Sequence, residues 1–170
     1  MDDSDRKALA DIEQYGCHVL HVIEEGELPP FTYSMGIQQK TTKPEVVVVG
    51  LKRELSHSVV NEYNRRVKAG EAFEPYERYA GFIEGFECEV RPVHRSHFNE
   101  YFGHCLWLYN GPNFHVVQLV WPNTSGVWPW QDAASEWFKS WQPLLDLPAE
   151  CSAPQPGIQP DGPASGGSAG

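Results

Sequence analysis

Four consecutive valines, Val46 to Val49, constrain the fold of this chain more than any other feature. β-branched side chains favour extended backbone, so the run predicts a strand. Successive side chains of a strand point to opposite faces, and an apolar residue at every position therefore predicts burial on both faces. We expect the segment EVVVVGL (45–51) near the centre of a sheet that is covered on each side.

Other segments also have the composition of strands. They are HVLHVIEE (18–25), FTYSMGI (31–37), the pair RYAGFI and FECEVRPV around Glu84-Gly85, and FHVVQLVWP (114–122). The pair predicts a hairpin. Its second strand alternates Phe86, Cys88 and Val90 with charged residues, which predicts one solvent-exposed face, and Pro92 predicts a strand end or an edge.

Helices are predicted where apolar residues repeat every third or fourth position. Leu55, Val59, Tyr63 and Val67 form such a stripe, which ends near Gly70 and should lie across the sheet. Ser4, Ser96 and Asp132 are candidate caps for three further helices: one ending at Gly16, one running to Tyr109, and a short terminal one. The expected fold class is α+β: a mixed, largely antiparallel sheet of five to six strands with packed helices, in a single domain.

Composition changes sharply after Pro148. The remaining residues are rich in Pro, Gly, Ser and Ala and contain no aromatic side chain. Such a segment has too little apolar surface to form a core. We therefore predict one α+β domain over residues 1–148 and a disordered tail over residues 149–170.

Charge limits the partners that this chain is expected to bind. The 13 basic residues against 23 acidic ones give a net charge of −10, which repels nucleic-acid phosphates and anionic membranes. The first twenty residues lack the basic start and apolar run of an export signal. The four cysteines are widely spaced without a C-x-x-C pair and are interpreted as reduced thiols, so a cytoplasmic location is expected.

Two histidine pairs have the spacing of possible metal ligands, His18 with His21 and His94 with His97. Residues three apart on a strand point to opposite faces, which argues against the first pair. The second pair crosses a predicted strand-to-helix junction and could converge with Glu100. Capping or surface histidines are commoner than metal ligands, and no metal or cofactor is expected.

Gln118 is an amide on a strand face that it shares with valines. A buried amide needs hydrogen-bond partners, which a loop backbone or a ligand could supply. If it anchors a ligand, we expect a pocket around His21, Tyr33, Arg91 and Gln118, with Ser34 and Trp121 as further ligand-binding candidates. Ser34 is also a weak candidate nucleophile, as is Cys17, because neither lies in a recognised catalytic motif.

Tryptophans are concentrated near the end of the predicted domain. Trp128 and Trp130 are candidates for an interaction surface if they are exposed, and an acidic rim would then select a basic protein partner. Burial between the last strand and the terminal helix is the alternative. The tryptophan cluster is therefore consistent with either core packing or recognition.

The segments PPFTYSMGI, PEVVVVGL and QLVWPNTSGVWPW carry a resemblance to a known family. In these segments, and in their order, the chain resembles the bacterial family catalogued as domain of unknown function 4262. The resemblance covers roughly residues 10 to 131. It implies a fold and a bacterial origin without assigning an activity.

Together these features favour a small acidic cytosolic domain that acts as a binding or protein-interaction module. The alternative is a small-molecule-binding enzyme that uses the pocket expected around Gln118. No catalytic residues can be assigned from the sequence, and the expected partner is either a small-molecule ligand or a basic protein.

Overall fold

The valine run forms β3 (Glu45–Val49), whose five residues are all buried. The computed structural model describes residues 2–149. The other strands in this range are β1 (His18–Val22), β2 (Phe31–Met35), β4 (Arg78–Ile83), β5 (Phe86–Pro92) and β6 (Val116–Val120). The six strands form one sheet in the order β1-β2-β3-β6-β5-β4, so β3 is an interior strand as expected.

Only one strand pair in the sheet is parallel, β3 with β6, and the other four are antiparallel. The helices are α1 (Asp3–Tyr15), α2 (Ile37–Thr41), α3 (Arg53–Lys68), α4 (Phe98–Tyr101), α5 (Gly103–Tyr109) and α6 (Glu136–Trp141). The expected α+β class with a mixed, largely antiparallel sheet is therefore confirmed.

Both faces of the sheet are covered, which explains why Val46 to Val49 are all apolar. On one face, α3 packs Val59, Val60 and Tyr63 against Val46 and Val48. On the other face, Val47 and Val49 belong to a second core with residues of α1, α4 and α5. The alternation of side chains along β3 thus supplies two separate cores from one run of valines.

Register places one row of residues across the sheet. Leu20 pairs with Tyr33, Tyr33 with Val47, Val47 with Gln118, and Gln118 with Arg91. Paired residues of neighbouring strands point to the same face, so this row lies opposite α3. His21 pairs with Thr32, one position along, and therefore points to the α3 face.

The helix caps differ from those expected. Asp2 caps α1 in place of Ser4, because its carboxylate accepts from the Asp5 amide in a reciprocal capping box. Ser135 caps α6 in place of Asp132. The helix expected from Ser96 begins as a 3₁₀ turn, Arg95–His97, which the His94 side chain caps.

A helix break and a short additional helix differ from the sequence prediction. The segment expected to be a single helix up to Tyr109 breaks at Phe102, whose backbone (φ −123, ψ 45) is not helical. The short α2 begins at Ile37, the last residue of the segment FTYSMGI (31–37) that has the composition of a strand.

Pro92 is the last residue of β5, as expected for a strand end. On the face expected to be solvent-exposed, Glu87 is exposed but Glu89 is buried, so that face is covered only in part.

The tail predicted from residue 149 onward falls, apart from Ala149, outside the described residues, and the domain boundary stays a prediction. Within residues 2–149, no helix combines the length and the apolar character needed to cross a membrane.

Candidate functional site

A polar cleft of about 640 Å³ lies between α1, the edge strand β1 and α3. We call it the α1–α3 cleft. Lys7, Asp11 and Tyr15 line it from α1, and their four-residue spacing places them on one helix face. Cys17, His18 and Val19 form its floor at the start of β1.

The α3 wall of the cleft is a polar stripe on a helix that also faces the core. Arg53, His57, Asn61 and Asn64 line the cleft with spacings of four, four and three residues. The apolar stripe that contains Val59 lies on another side of the same helix. One helix thereby serves both the core and the cleft.

Asp11 and His18 form a hydrogen-bonded pair in the cleft, with 2.8 Å between Asp11 Oδ2 and His18 Nδ1. A carboxylate can only accept, so Nδ1 of His18 carries a proton in this contact. Lys7 Nζ also lies 3.1 Å from Asp11 Oδ2. Burial acts to raise the pKa of Asp11, but hydrogen bonds from His18 and Lys7 outweigh it and hold that pKa below 3.8.

His57 is the second imidazole of the cleft. Burial lowers its pKa, and the Arg53 charge lowers it further, against an opposing contribution from Glu54. Its ring centre lies 6.4 Å from that of His21, which does not line the cleft. The pKa of His21 is also lowered, by burial first and then by Arg53 and His57. Both rings are therefore neutral near pH 7.

Two side chains that line the cleft each have a buried polar atom without a hydrogen-bond partner, Oδ1 of Asn64 and Nε2 of His57. Asn64 is only 7% exposed. Its amide nitrogen donates to the Tyr15 carbonyl at 3.1 Å, which ties the end of α1 to α3 and leaves the amide oxygen unused. Buried polar atoms of this kind are uncommon in folded proteins and call for an explanation.

Cys17 lies in the floor of the cleft but lacks the properties of a nucleophile. It is buried, and burial together with the charge of Glu45 raises the pKa of its thiol to about 12. His18, the next residue, bonds to Asp11 and not to this thiol. Among the described residues, no group of three His, Cys, Asp or Glu side chains is arranged to hold a metal ion.

The four residues expected around a pocket do not come together. Tyr33, Gln118 and Arg91 share a face of the sheet, whereas His21 lies on the α3 face, where its Nδ1 bonds to Thr32 Oγ1 at 2.6 Å. Tyr33 is buried, with its ring edge-to-face with Phe102. The pairing of His21 with Thr32 puts His21 and Tyr33 on opposite faces, and strand alternation alone does not supply that register.

Gln118 is fully buried, and both ends of its amide are bonded to one segment of backbone. Its Nε2 donates to the Pro143 carbonyl at 2.9 Å, and its Oε1 accepts from the Leu145 amide at 3.0 Å. A loop backbone, one of the two partners expected from the sequence for this amide, therefore supplies its hydrogen bonds. The segment that it holds covers the sheet beside Arg91.

Arg91 is enclosed between aromatic and acidic groups. Its guanidinium lies 4.1 Å from the Trp130 ring centre, 2.8 Å from Glu89 and 3.3 Å from Asp146. With its charge paired by two carboxylates, Arg91 holds the final segment of the described chain onto β5.

Ser34 and Trp121 also have structural bonds. Ser34 donates to the buried carboxylate of Glu45 at 2.7 Å, and Trp121 Nε1 donates to the Val49 carbonyl at 2.8 Å. Burial raises the pKa of Glu45, while bonds from Tyr109, Ser34 and the α2 amides oppose that rise.

The two tryptophans named as interaction candidates stack on each other, with ring centres 5.1 Å apart. Trp128 is 6% exposed and lies under the Arg78 guanidinium, and Trp130 is half-buried against Arg91. Trp137 of α6 is 62% exposed. Whether any of these rings binds a partner stays a prediction.

The residues of the α1–α3 cleft were mostly missed from the sequence. Asp11, His57 and Asn64 had no part in the expected pocket, although the spacing Lys7-Asp11-Tyr15 and Arg53-His57-Asn61 is visible in the chain. Two four-residue polar repeats on different helices carry no signal that they face each other.

The comparison with protein families gives one match. Residues 11–135 match the family described as Domain of unknown function (DUF4262), and this span is more than half of the chain, so the chain belongs to that family. The match confirms the resemblance found in the strand segments. No curated protein and no solved structure shows a significant match to the chain.

Proposed function

We propose that this member of the DUF4262 family is a small-molecule-binding domain whose ligand site is the α1–α3 cleft. The observation that carries the proposal is the pair of unpartnered buried atoms, Asn64 Oδ1 and His57 Nε2, on side chains that line the same cavity. A ligand with a donor for Asn64 and a polar group for His57 would satisfy both.

The energetic argument rests on the cost of those two atoms. A buried polar atom that loses its partner costs about 1–3 kcal/mol, and a ligand that pairs with it recovers that cost on binding. The cleft volume of about 640 Å³ lies within the range of small-molecule sites. Its lining of amides, imidazoles and charges favours a polar ligand.

The length of the cleft limits the shape of the ligand. Eleven residues separate Arg53 from Asn64, and at about 1.5 Å per helical residue they span about 16 Å. A ligand that reaches both ends is therefore extended, with one polar group near Arg53 and another near Asn64.

Native mass spectrometry of the natively purified protein tests this proposal. We expect a bound small molecule in the wild type that is lost in Asn61→Trp, because Asn61 is exposed and lines the cleft, where an indole would fill the space. Ser58→Trp, on the same helix outside the cleft lining, is the matched control and should keep the molecule. Equal retention of the molecule in both variants would reject the cleft as its site.

An enzyme is the second candidate, and the Asp11–His18 pair favours it. A carboxylate that fixes one imidazole nitrogen leaves the other as an oriented general base, and the described residues give His18 Nε2 no hydrogen bond. In that case His18→Gln would still bind the molecule found by mass spectrometry but would no longer convert it. Unchanged mass of that molecule after incubation with the wild type would exclude catalysis on it.

A further inference from the structure

We infer that the Arg53 end of the α1–α3 cleft binds an oxyanion group of the ligand, a phosphate or a carboxylate, between Arg53, His57 and His18. This inference rests on the proposed function and names the chemistry of the ligand. It is carried by an unpaired guanidinium, two imidazoles and a charge balance in the cleft that is opposite to that of the whole chain.

Arg53 is the unpaired cation. It is exposed at the first residue of α3, and the described residues offer it no hydrogen bond, ion pair or aromatic face. Other arginines of the fold, such as Arg66, Arg78 and Arg91, are each bonded to a carboxylate. In a chain of net charge −10, an arginine without a carboxylate partner at the mouth of a cavity favours an external anion.

The charges that line the cleft sum to a positive value. Lys7 and Arg53 are the cations and Asp11 is the single acid, so an excess of one positive charge remains when both imidazoles are neutral. Asp11 is already engaged by His18 and Lys7, which leaves Arg53 as the uncompensated group. Protonation of His18 or His57 would increase the excess.

Arg53 and His18 share the lining of the cleft with His57. Arg53 lies on α3 and His18 on β1, and the charge of Arg53 lowers the pKa of the His57 imidazole. Glu54 acts in the opposite sense on His57 and on His21 but does not line the cleft. An oxyanion bound beside His57 would lie in the same cleft as Arg53 and His18.

The first turn of α3 adds to this potential. Lys52 occupies the N-cap position of α3 and makes no side-chain hydrogen bond to the helix. The first backbone amides of α3 are therefore not satisfied by a side-chain cap. Helix N-termini carry partial positive charge and favour anions. The observation supports the location of the anion near Arg53, in addition to the argument from side-chain charge.

The test uses simple anions and one matched pair of variants. Isothermal titration with sodium sulfate, phosphate and acetate, at an ionic strength held constant with chloride, measures affinity for wild type, Arg53→Gln and Lys52→Gln. Both variants remove one exposed positive charge from neighbouring positions, but only Arg53 lines the cleft.

We expect binding of sulfate or phosphate to weaken about tenfold in Arg53→Gln, as for the loss of one charge-assisted hydrogen bond, and to change less than twofold in Lys52→Gln. The same pattern with acetate alone would identify the group as a carboxylate and still support the inference. Absence of binding beyond chloride, or equal losses in the two variants, would overturn it. A neutral molecule found by mass spectrometry and displaced by Asn61→Trp would then leave the proposed function standing.

Discussion

Asp11 on α1 and His18 on β1 are seven residues apart in the chain, yet their side chains meet at 2.8 Å. The contact requires the chain to reverse at Gly16, whose backbone is left-handed at φ 93. A side chain at that position would be strained and would press on Lys68. The turn at Gly16 therefore sets one wall of the cleft and the orientation of its imidazole.

Replacement of Asp11 by Asn tests the energetic role of that contact. Because the pKa of Asp11 is lowered in the folded protein, its stabilising effect is complete near pH 7 and is lost as pH falls through values below 3.8. We expect Asp11→Asn to lose about 1 kcal/mol at pH 7 and much less near pH 3, by urea unfolding. Asp3→Asn, which breaks an exposed pair with Arg6, is the control and should cost little at either pH.

The hydrogen bonds of the Gln118 amide should contribute more to the free energy of unfolding than the sequence alone indicates. From sequence alone, Gln118→Leu is mildly destabilising or neutral. With the Pro143 carbonyl and the Leu145 amide both left unpaired, we expect a loss of about 1–3 kcal/mol after the gain in apolar burial. Gln39→Leu changes an exposed amide and should stay within about 0.5 kcal/mol. Equal unfolding midpoints for the two variants in urea would contradict this role.

Glu45 should be the most sensitive polar residue of the core. Its carboxylate accepts bonds from Ser34, Tyr109 and the amides of residues 36 to 38, and thereby fixes the start of α2. Glu45→Gln puts an amide donor among those donors, and we expect a loss of about 2–4 kcal/mol in chemical denaturation. Tyr109→Phe removes a single donor and should cost about 1 kcal/mol. A larger cost for Tyr109→Phe would show that the carboxylate is not the centre of the network.

Affinity for sulfate should depend on pH in a defined direction. Sulfate keeps its charge between pH 5 and 8, so a change in affinity reports the protein alone. The pKa of His57 is lowered by burial and by Arg53, and a bound anion favours its protonated form. We expect titration calorimetry to give tighter binding at pH 5.5 than at pH 7.5, with most of the difference lost in His57→Gln. Tighter binding at the higher pH would contradict this.

The sheet was predictable because its signals are local. The valine run and the alternation around Gln118 determine which face each residue takes, and the register agrees with both. Caps were harder to predict, because Ser4, Asp2 and Asp5 all compete within one turn and only the capping-box geometry selects Asp2. The break at Phe102 follows from tertiary packing, since that ring is fully buried against Tyr33.

The cleft was not predictable, because it depends on how two helices meet across an edge strand. A net charge of −10 suggested a basic partner, yet the lining of the cleft carries more positive than negative charge. Net charge averages over the whole surface, whereas a ligand responds to the few groups around it. The neighbouring valines predict that the Gln118 amide is buried. Asn64 is also buried and has an unused amide oxygen, but no adjacent valine predicts its burial.

A crystal structure of the natively purified protein, grown at pH 5.5 with sulfate, tests the central claim most directly. The account predicts density for a ligand or sulfate in the α1–α3 cleft, in contact with Arg53 and with a new partner on His57 Nε2 or Asn64 Oδ1. A cleft that holds only water at saturating sulfate, with the anion bound elsewhere on the surface, would contradict it.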